Sequence, residues 1–233
     1  MSSGKCELFV ISFMSMRNIK EKSYEYIENL IGAENELKLK ARLHAGSLGL
    51  GRISLSPVEA VSLRFFAESI QAKKLVEIGT LTGLSALYLL EGLQPEACLW
   101  TLEKSAEHAA LAGEVLQKYI EQKRCHILVG DAQQTLKDLS VQGPFDMVFI
   151  DGNKAAYLDY FNWATANTRT GGYIVVDNVF LSGAVWGDQT QQRFNEKQIK
   201  AVQTMNEAAF NNSSLRSMLI PTQEGLLVCQ KRS

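Results

Sequence analysis

Short apolar runs recur along the chain from residue 74 onward, and each closes on a glycine or a carboxylate. They are KLVEIG (74–79), CLWTLE (98–103), CHILVG (125–130), FDMVFID (145–151) and GYIVVDN (172–178). A stretch with helical spacing of apolar positions follows each run, at residues 83–93, 105–121, 132–139, 154–166 and roughly 191–210. Strands that read as nearly unbroken apolar segments belong in a parallel sheet covered on both faces. Two further runs, LRSMLIP (215–221) and GLLVCQK (225–231), are joined only by TQE, which leaves no room for a crossover helix. That pair is expected to be antiparallel. The pattern predicts one doubly wound α/β domain with a mostly parallel sheet.

Ahead of this repeat the spacing is helical. Ile19, Tyr26, Ile27 and Leu30 share a stripe that stops at Gly32, and ENELKLKARLHAG (34–46) makes a second short helix. SPVEAVSLRFFAESI (56–70) opens on a capping box, with Ser56 as N-cap, Pro57 in the first position and Glu59 three residues on. These segments predict an N-terminal helical cap. CELFVISFM (6–14) is apolar but too short to span a bilayer, and no small-residue cleavage site follows it. Residues 1–18 are expected to be a disordered or loosely docked leader, with Met14 or Met16 as an alternative start. Residues 19–233 are expected to form the single domain.

Composition narrows the class without naming a ligand. The 233 residues are 46% hydrophobic and 21% charged with a formal net charge of -1, so no global basic field advertises nucleic acid or an anionic membrane. Cys6, Cys98, Cys125 and Cys229 are scattered, as are His44, His108 and His126. Neither a disulfide framework nor a zinc site is expected, and a reducing cytoplasm fits best. Cys98, Cys125 and Cys229 lie inside apolar runs and read as inert core thiols.

Candidate chemistry sits at the strand ends. In open α/β sheets, ligands bind outside the carboxyl ends of the strands, where strand order reverses. The residues there are Glu77–Gly79, Glu103, Gly130–Asp131, Asp151 and Asp177–Asn178. VEIGTLTGLS (76–85) is a glycine-marked strand-to-helix turn, but leucines occupy positions 81 and 84, where a dinucleotide fingerprint needs glycines. The close approach that a pyrophosphate requires is missing. A ligand with an adenosine and no phosphates fits better, with Glu103 placed to accept from two ribose hydroxyls.

VEIGTLTGLSALYL, TLEK, GDA, FDMVFIDGNKAAYLDYF and GGYIVVDNVFLSG, in this order, resemble the cation-dependent class I O-methyltransferases, which include the caffeoyl-CoA and catechol enzymes. The resemblance runs from about Ser54 to the C-terminus. It implies a Rossmann-like domain with a seven-stranded, mostly parallel sheet ending in an antiparallel C-terminal strand. It also implies S-adenosylmethionine (SAM) in the first turn. By position, Leu55 (through its backbone), Glu77, Gly79, Thr80, Ser85, Glu103, Ala132 and Asp151 match cofactor-binding positions.

Asp151, Asp177 and Asn178 match the family's metal positions, and the residues themselves support this. Neighbouring strand ends lie about 5 Å apart. Two carboxylates and an amide carbonyl are hard oxygen donors suited to Mg²⁺, with Ca²⁺ and Mn²⁺ as alternatives. The open coordination positions would suit a substrate with two adjacent oxygens, and the resemblance implies that this is a small phenol with vicinal hydroxyls. Asp151 and Lys154 are the catalytic candidates; Lys154 matches the family's proposed base, and desolvation beside a dication is expected to lower its pKa.

Two positions depart from the family: Asn153 stands where a second acidic residue is usual, and Ser182 replaces a substrate-contacting asparagine. SGAVWGDQTQQRFN (182–195) is expected to form a loop over the acceptor site, and Trp186, Tyr157 and Tyr160 are candidates either for walls of that site or for packing residues. A homodimer is suggested by resemblance alone. Two other functions stay open. One is methylation of a tRNA wobble hydroxyuridine, supported only by the local basicity of Lys20, Lys22, Lys38, Lys40 and Arg42. The other is SAM binding without turnover.

Overall fold

A computed structural model of the chain describes residues 21–188 and 193–233. The expected leader, Cys6, Ile19, Lys20 and the first residues of the helix expected from about 191 lie outside them.

Seven strands form one sheet in the order β3-β2-β1-β4-β5-β7-β6. They are β1 (Lys74–Ile78), β2 (Cys98–Glu103), β3 (Cys125–Val129), β4 (Phe145–Ile150), β5 (Thr168–Asp177), β6 (Leu215–Ile220) and β7 (Leu226–Lys231). The pairs from β3 through β5 are parallel, whereas β7 runs antiparallel to both β5 and β6. This is the expected fold. Strand order reverses between β1 and β4, so the crevice there is the natural ligand site.

Both faces of the central strands are buried, which explains their unbroken apolar runs. Leu75, Met147, Phe149 and Val175 face one side, under helices α3 (Pro57–Ser69), α4 (Leu84–Glu91) and α5 (Ala106–Glu121). Val76, Ile78, Val148, Ile150, Ile174 and Val176 face the other, under α6 (Ala132–Leu139), α7 (Tyr157–Asn167) and α8 (Glu196–Asn211). Strand side chains alternate between faces. Continuing that alternation puts Glu77, Glu103, Asp151 and Asp177 all on the α3–α5 side.

The N-terminal cap consists of α1 (Glu21–Ile31) and α2 (Glu36–Ser47), packed on α3, α4 and α5. Its expected basic character is cancelled by pairing: Lys38 binds Glu91, Arg42 binds Glu34 and Lys40 binds Glu114. The capping box at Ser56 and Glu59 forms as expected.

Three boundaries differ from expectation. β5 starts at Thr168, where the chain pairs with β4 across a register shift. The segment after β4 begins as a 3-10 turn at Lys154–Ala156 before α7. A 3-10 segment with a kink, Leu181–Trp186, precedes α8. Cys125 and Cys229 are buried; burial pushes both thiols up, Cys229 to about 11, and leaves them inert, while Cys98 is only half-buried. Among the described residues, no helix is long and apolar enough to cross a membrane.

Candidate active site

The turn after β1 is built around one glycine and one carboxylate. Gly79 has φ +103°, and a Cβ there would stand 2.1 Å from the Asp151 carbonyl oxygen. Only glycine lets the β1 exit pass so close to the β4 exit. The next two amides, Thr80 and Leu81, donate to Glu103 Oε2 at 3.3 and 2.9 Å. Ser105 N donates to Oε1 at 2.9 Å, and His108 Nδ1 stands 3.5 Å from the same oxygen. Glu103 therefore shapes the turn as well as facing the crevice.

Glu77, opposite Thr101 in the β1–β2 register, is wholly buried, and its Oε2 accepts from Thr101 Oγ1 at 2.5 Å. Burial pushes its carboxyl up to about 7, against the opposing pull of the Ser85 and Thr101 hydroxyls. The N-terminal cap braces this region. Thr82 Oγ1 donates to the Ala41 carbonyl at 2.8 Å, and Arg42 donates to the Leu55 carbonyl at 3.1 Å.

A different arrangement holds at the ends of β4 and β5. Ile150 stands opposite Val176, so Asp151 and Asp177 fall at the next step of neighbouring strands. Asn178 has φ +58°, a left-handed conformation that asparagine tolerates well. Lys154 Nζ donates to Asp151 Oδ1 at 2.8 Å and to the Tyr157 hydroxyl, which in turn donates to the Asp177 carbonyl at 3.1 Å.

With no cation bound, this geometry favours the charged form of Lys154. Burial works against its charge, but Asp151, Tyr157 and Asp177 outweigh it and hold the ammonium well above its usual range. Asp177 is also pushed up: burial, then the charges of Asp151 and Glu59, raise its carboxyl well above the usual value despite Lys154.

The acceptors here are incomplete. Asp177 Oδ1 and Asn178 Oδ1 are buried and have no hydrogen-bond donor. Buried polar atoms without partners are rare and point to a missing ion or water. With Asp151 they form an oxygen-only donor set, which fits a hard divalent cation. No three His, Cys, Asp or Glu side chains converge on a common ion position among the described residues, so direct protein ligands would be two carboxylates and the amide.

One cleft of about 370 Å³ joins the two arrangements, within the range of small-molecule sites. Leu55, Gly79, Thr80, Ser85, Glu103, Ala132, Asp151, Lys154 and Asn178 line it. Glu77 and Asp177 are buried and stand outside the lining. Tyr160 lines the cleft, whereas Tyr157 is a wholly buried part of the Lys154 network. Trp186 is not in the lining; it is 64% exposed and packs edge-on against Phe180 at 5.3 Å. Ser182 is tied to Glu224 through its amide and hydroxyl.

Sequence reasoning did not single out His108, Arg193 or Phe194, which also line the cleft. His108 lies in the first turn of α5, which follows directly on Glu103 at the end of β2. Arg193 and Phe194 fall in the 182–195 segment expected to loop over the acceptor site, and they do line the cleft.

A family model described as O-methyltransferase matches residues 33–232. A catechol O-methyltransferase of Niastella koreensis is 35% identical over 176 residues, covering 75% of this chain and 80% of the relative. A catechol O-methyltransferase of Mycobacterium tuberculosis is 40% identical over 136 residues, 58% of this chain and 61% of that protein. Among solved structures, the O-methyltransferase TomG from Streptomyces achromogenes, crystallised with SAM, aligns with a TM-score of 0.81. It is 28% identical, with 91% of this chain and 96% of that chain covered.

Proposed function

The chain belongs to the O-methyltransferase family, and on that premise we propose that it methylates a hydroxyl of a small vicinal dihydroxy phenol, using SAM and a divalent cation. The observation that carries the cation part is the pair of buried, donorless oxygens on Asp177 and Asn178 beside Asp151. The SAM part draws on the glycine turn organised by Glu103 and on the SAM complex of TomG. The catechol-type acceptor draws on the named activity of the two catechol O-methyltransferases.

In this proposal the chain's own residues do most of the work by placement. Leu55, Gly79, Thr80, Ser85 and Ala132 wall the cofactor end, Glu103 takes the ribose hydroxyls, and Glu77 backs the turn. Asp151, Asp177 and Asn178 would hold the cation, Mg²⁺ first, at the acceptor end. Bound SAM supplies a methyl group on a sulfonium, and the cation favours the ionised form of a phenol. With no cation bound, Lys154 is charged and fixed between Asp151 and Tyr157. Beside a bound cation, Lys154 remains the expected base, its amine taking the proton that the phenol releases.

The test is methyl transfer from SAM to a simple catechol, with and without EDTA. Activity lost on chelation and restored by Mg²⁺ is expected; activity untouched by EDTA would remove the cation. We also propose a homodimer, supported by exposed Tyr26, Leu30, Leu39 and Leu43 on the N-terminal helices. Light scattering of the purified protein checks it.

A further inference from the structure

The loop that brings Leu55 to the cleft has little holding it from within. A 3-10 turn, Gly51–Ile53, precedes it and α3 follows from Pro57. Among the described residues, neither Ser54 nor Leu55 makes a backbone–backbone hydrogen bond. Leu55 is nonetheless buried and lines the cleft. A buried carbonyl in such a loop needs a partner from elsewhere in the fold.

Arg42, on α2, is that partner. Its Nη1 donates to the Leu55 carbonyl at 3.1 Å, while Nε and Nη2 form a fork on Glu34 at 2.5 and 2.7 Å. Glu34 Oε1 also accepts from the Tyr88 hydroxyl at 2.8 Å. Tyr88 is buried in α4, the helix that opens at the end of the glycine turn. One residue before Arg42, the Ala41 carbonyl accepts from Thr82 Oγ1 at 2.8 Å.

Adjacent residues of α2 therefore grip two separate walls of the cleft. Arg42 holds Leu55, in the loop ahead of α3, and Ala41 holds Thr82, in the turn after β1. Leu55 and Thr82 both line the cleft, whereas Ala41 and Arg42 stand outside it. A loop held in place before binding spares the ligand the entropy of ordering it. A planar guanidinium suits this task, because its fork can bind a carboxylate and a carbonyl at once.

We propose that Arg42 is a positioning residue for SAM: it pins the Leu55 carbonyl and, with Ala41, sets the spacing between the α3 loop and the β1 turn that receive the cofactor. The inference rests on SAM as the ligand of that end, and its test separates the two.

Binding of S-adenosylhomocysteine (SAH) is titrated by calorimetry, well below the melting temperature, for wild type and three variants. Arg42→Lys keeps a charge opposite Glu34 but loses the fork that reaches Leu55. A double variant, Arg42→Met with Glu34→Gln, removes the pair without stranding a buried charge. Asn35→Ala deletes the N-cap of α2 and loosens the same helix with Arg42 intact. Expected is a roughly 10- to 100-fold weaker SAH affinity in both Arg42 variants, the loss typical of a hydrogen bond to a charged group. Asn35→Ala should stay near wild type. In methyl transfer the KM for SAM should rise in the Arg42 variants, with kcat and the KM for the acceptor near wild type.

SAH affinity near wild type in both Arg42 variants would overturn the role of Arg42. Equal weakening by Asn35→Ala would assign the effect to docking of α2 as a whole and likewise overturn it. So would a fall in kcat with the KM for SAM unchanged. Failure of the wild type to bind SAH would overturn the SAM reading itself.

Discussion

The two ends of the cleft satisfy their buried polar groups to different degrees. At the β1–β2 end, Glu103 takes three backbone amides, and Thr101 links Glu77 to the turn. At the β4–β5 end, Asp177 and Asn178 each keep a buried oxygen without a donor, and Asp151 leans on Lys154. The first end is satisfied by the chain itself except at Glu77 Oε1, one buried oxygen without a donor in a carboxyl that burial pushes toward its neutral form. The second is held in a costly state that an ion would relieve. Cofactor binding and ion binding should therefore be separable by mutation, except where the two ends touch.

They touch at Gly79. Adding a methyl there drives it into the Asp151 carbonyl, so Gly79→Ala should have the largest effect, losing both SAH and Mn²⁺ binding. Calorimetric titration of each ligand checks this; loss of one alone would show that the ends are not mechanically joined. Next, Asp177→Asn should cut methyl transfer by about 10³-fold or more, since a metal contributes several kcal/mol. SAH affinity should stay within about twofold, and a matching loss of SAH affinity would break the separation.

Lys154→Ala should lower kcat by about 10²- to 10³-fold, as for removal of a general base, with little change in the KM for SAM. The rate of that variant should recover at high pH, where the phenol ionises unaided; a rate that stays low there would contradict the role of base.

Smaller effects belong to the cofactor end. Glu103→Gln removes charge-assisted bonds worth about 1.5–3 kcal/mol each before rearrangement. A rise of roughly tenfold in the KM for SAM is expected, with Mn²⁺ affinity kept.

Smallest is the stability effect of Glu77. Its folded pKa of about 7 lies above the usual 4.5. The protonated form is thus favoured on folding, and its contribution is fully present below about 4.5 and lost as pH rises through about 7. Glu77→Gln should therefore gain on wild type between pH 5 and pH 8 by about 1–3 kcal/mol, a few degrees in Tm. Parallel melting profiles across that range would contradict the burial account.

Much of this was readable from residue order. Unbroken apolar runs such as FDMVFI could belong only to strands covered on both faces, and their terminal carboxylates marked the crevice before any coordinates. Leucines at 81 and 84 argued against a pyrophosphate from sequence alone. Other features depend on distances that sequence does not carry. The basic residues of α2 suggested a patch, yet Lys38, Lys40 and Arg42 each meet a glutamate, two of them more than 50 residues away. Lys154 was singled out from its place three residues after Asp151, whereas the converging Tyr157 and Asp177, which favour its charge in the absence of a cation, were not visible in the sequence. Glu59 was read as half of a capping box, and the structure forms it.

The central claim is that a divalent ion sits between the tips of β4 and β5. Its most direct test is a crystal of the SAH complex soaked in Mn²⁺ and measured at the manganese edge. An anomalous peak is predicted within about 2.0–2.3 Å of oxygens from Asp151, Asp177 and Asn178. No peak at saturating Mn²⁺, with Lys154 still on Asp151 and both orphan oxygens bound to water, would contradict it.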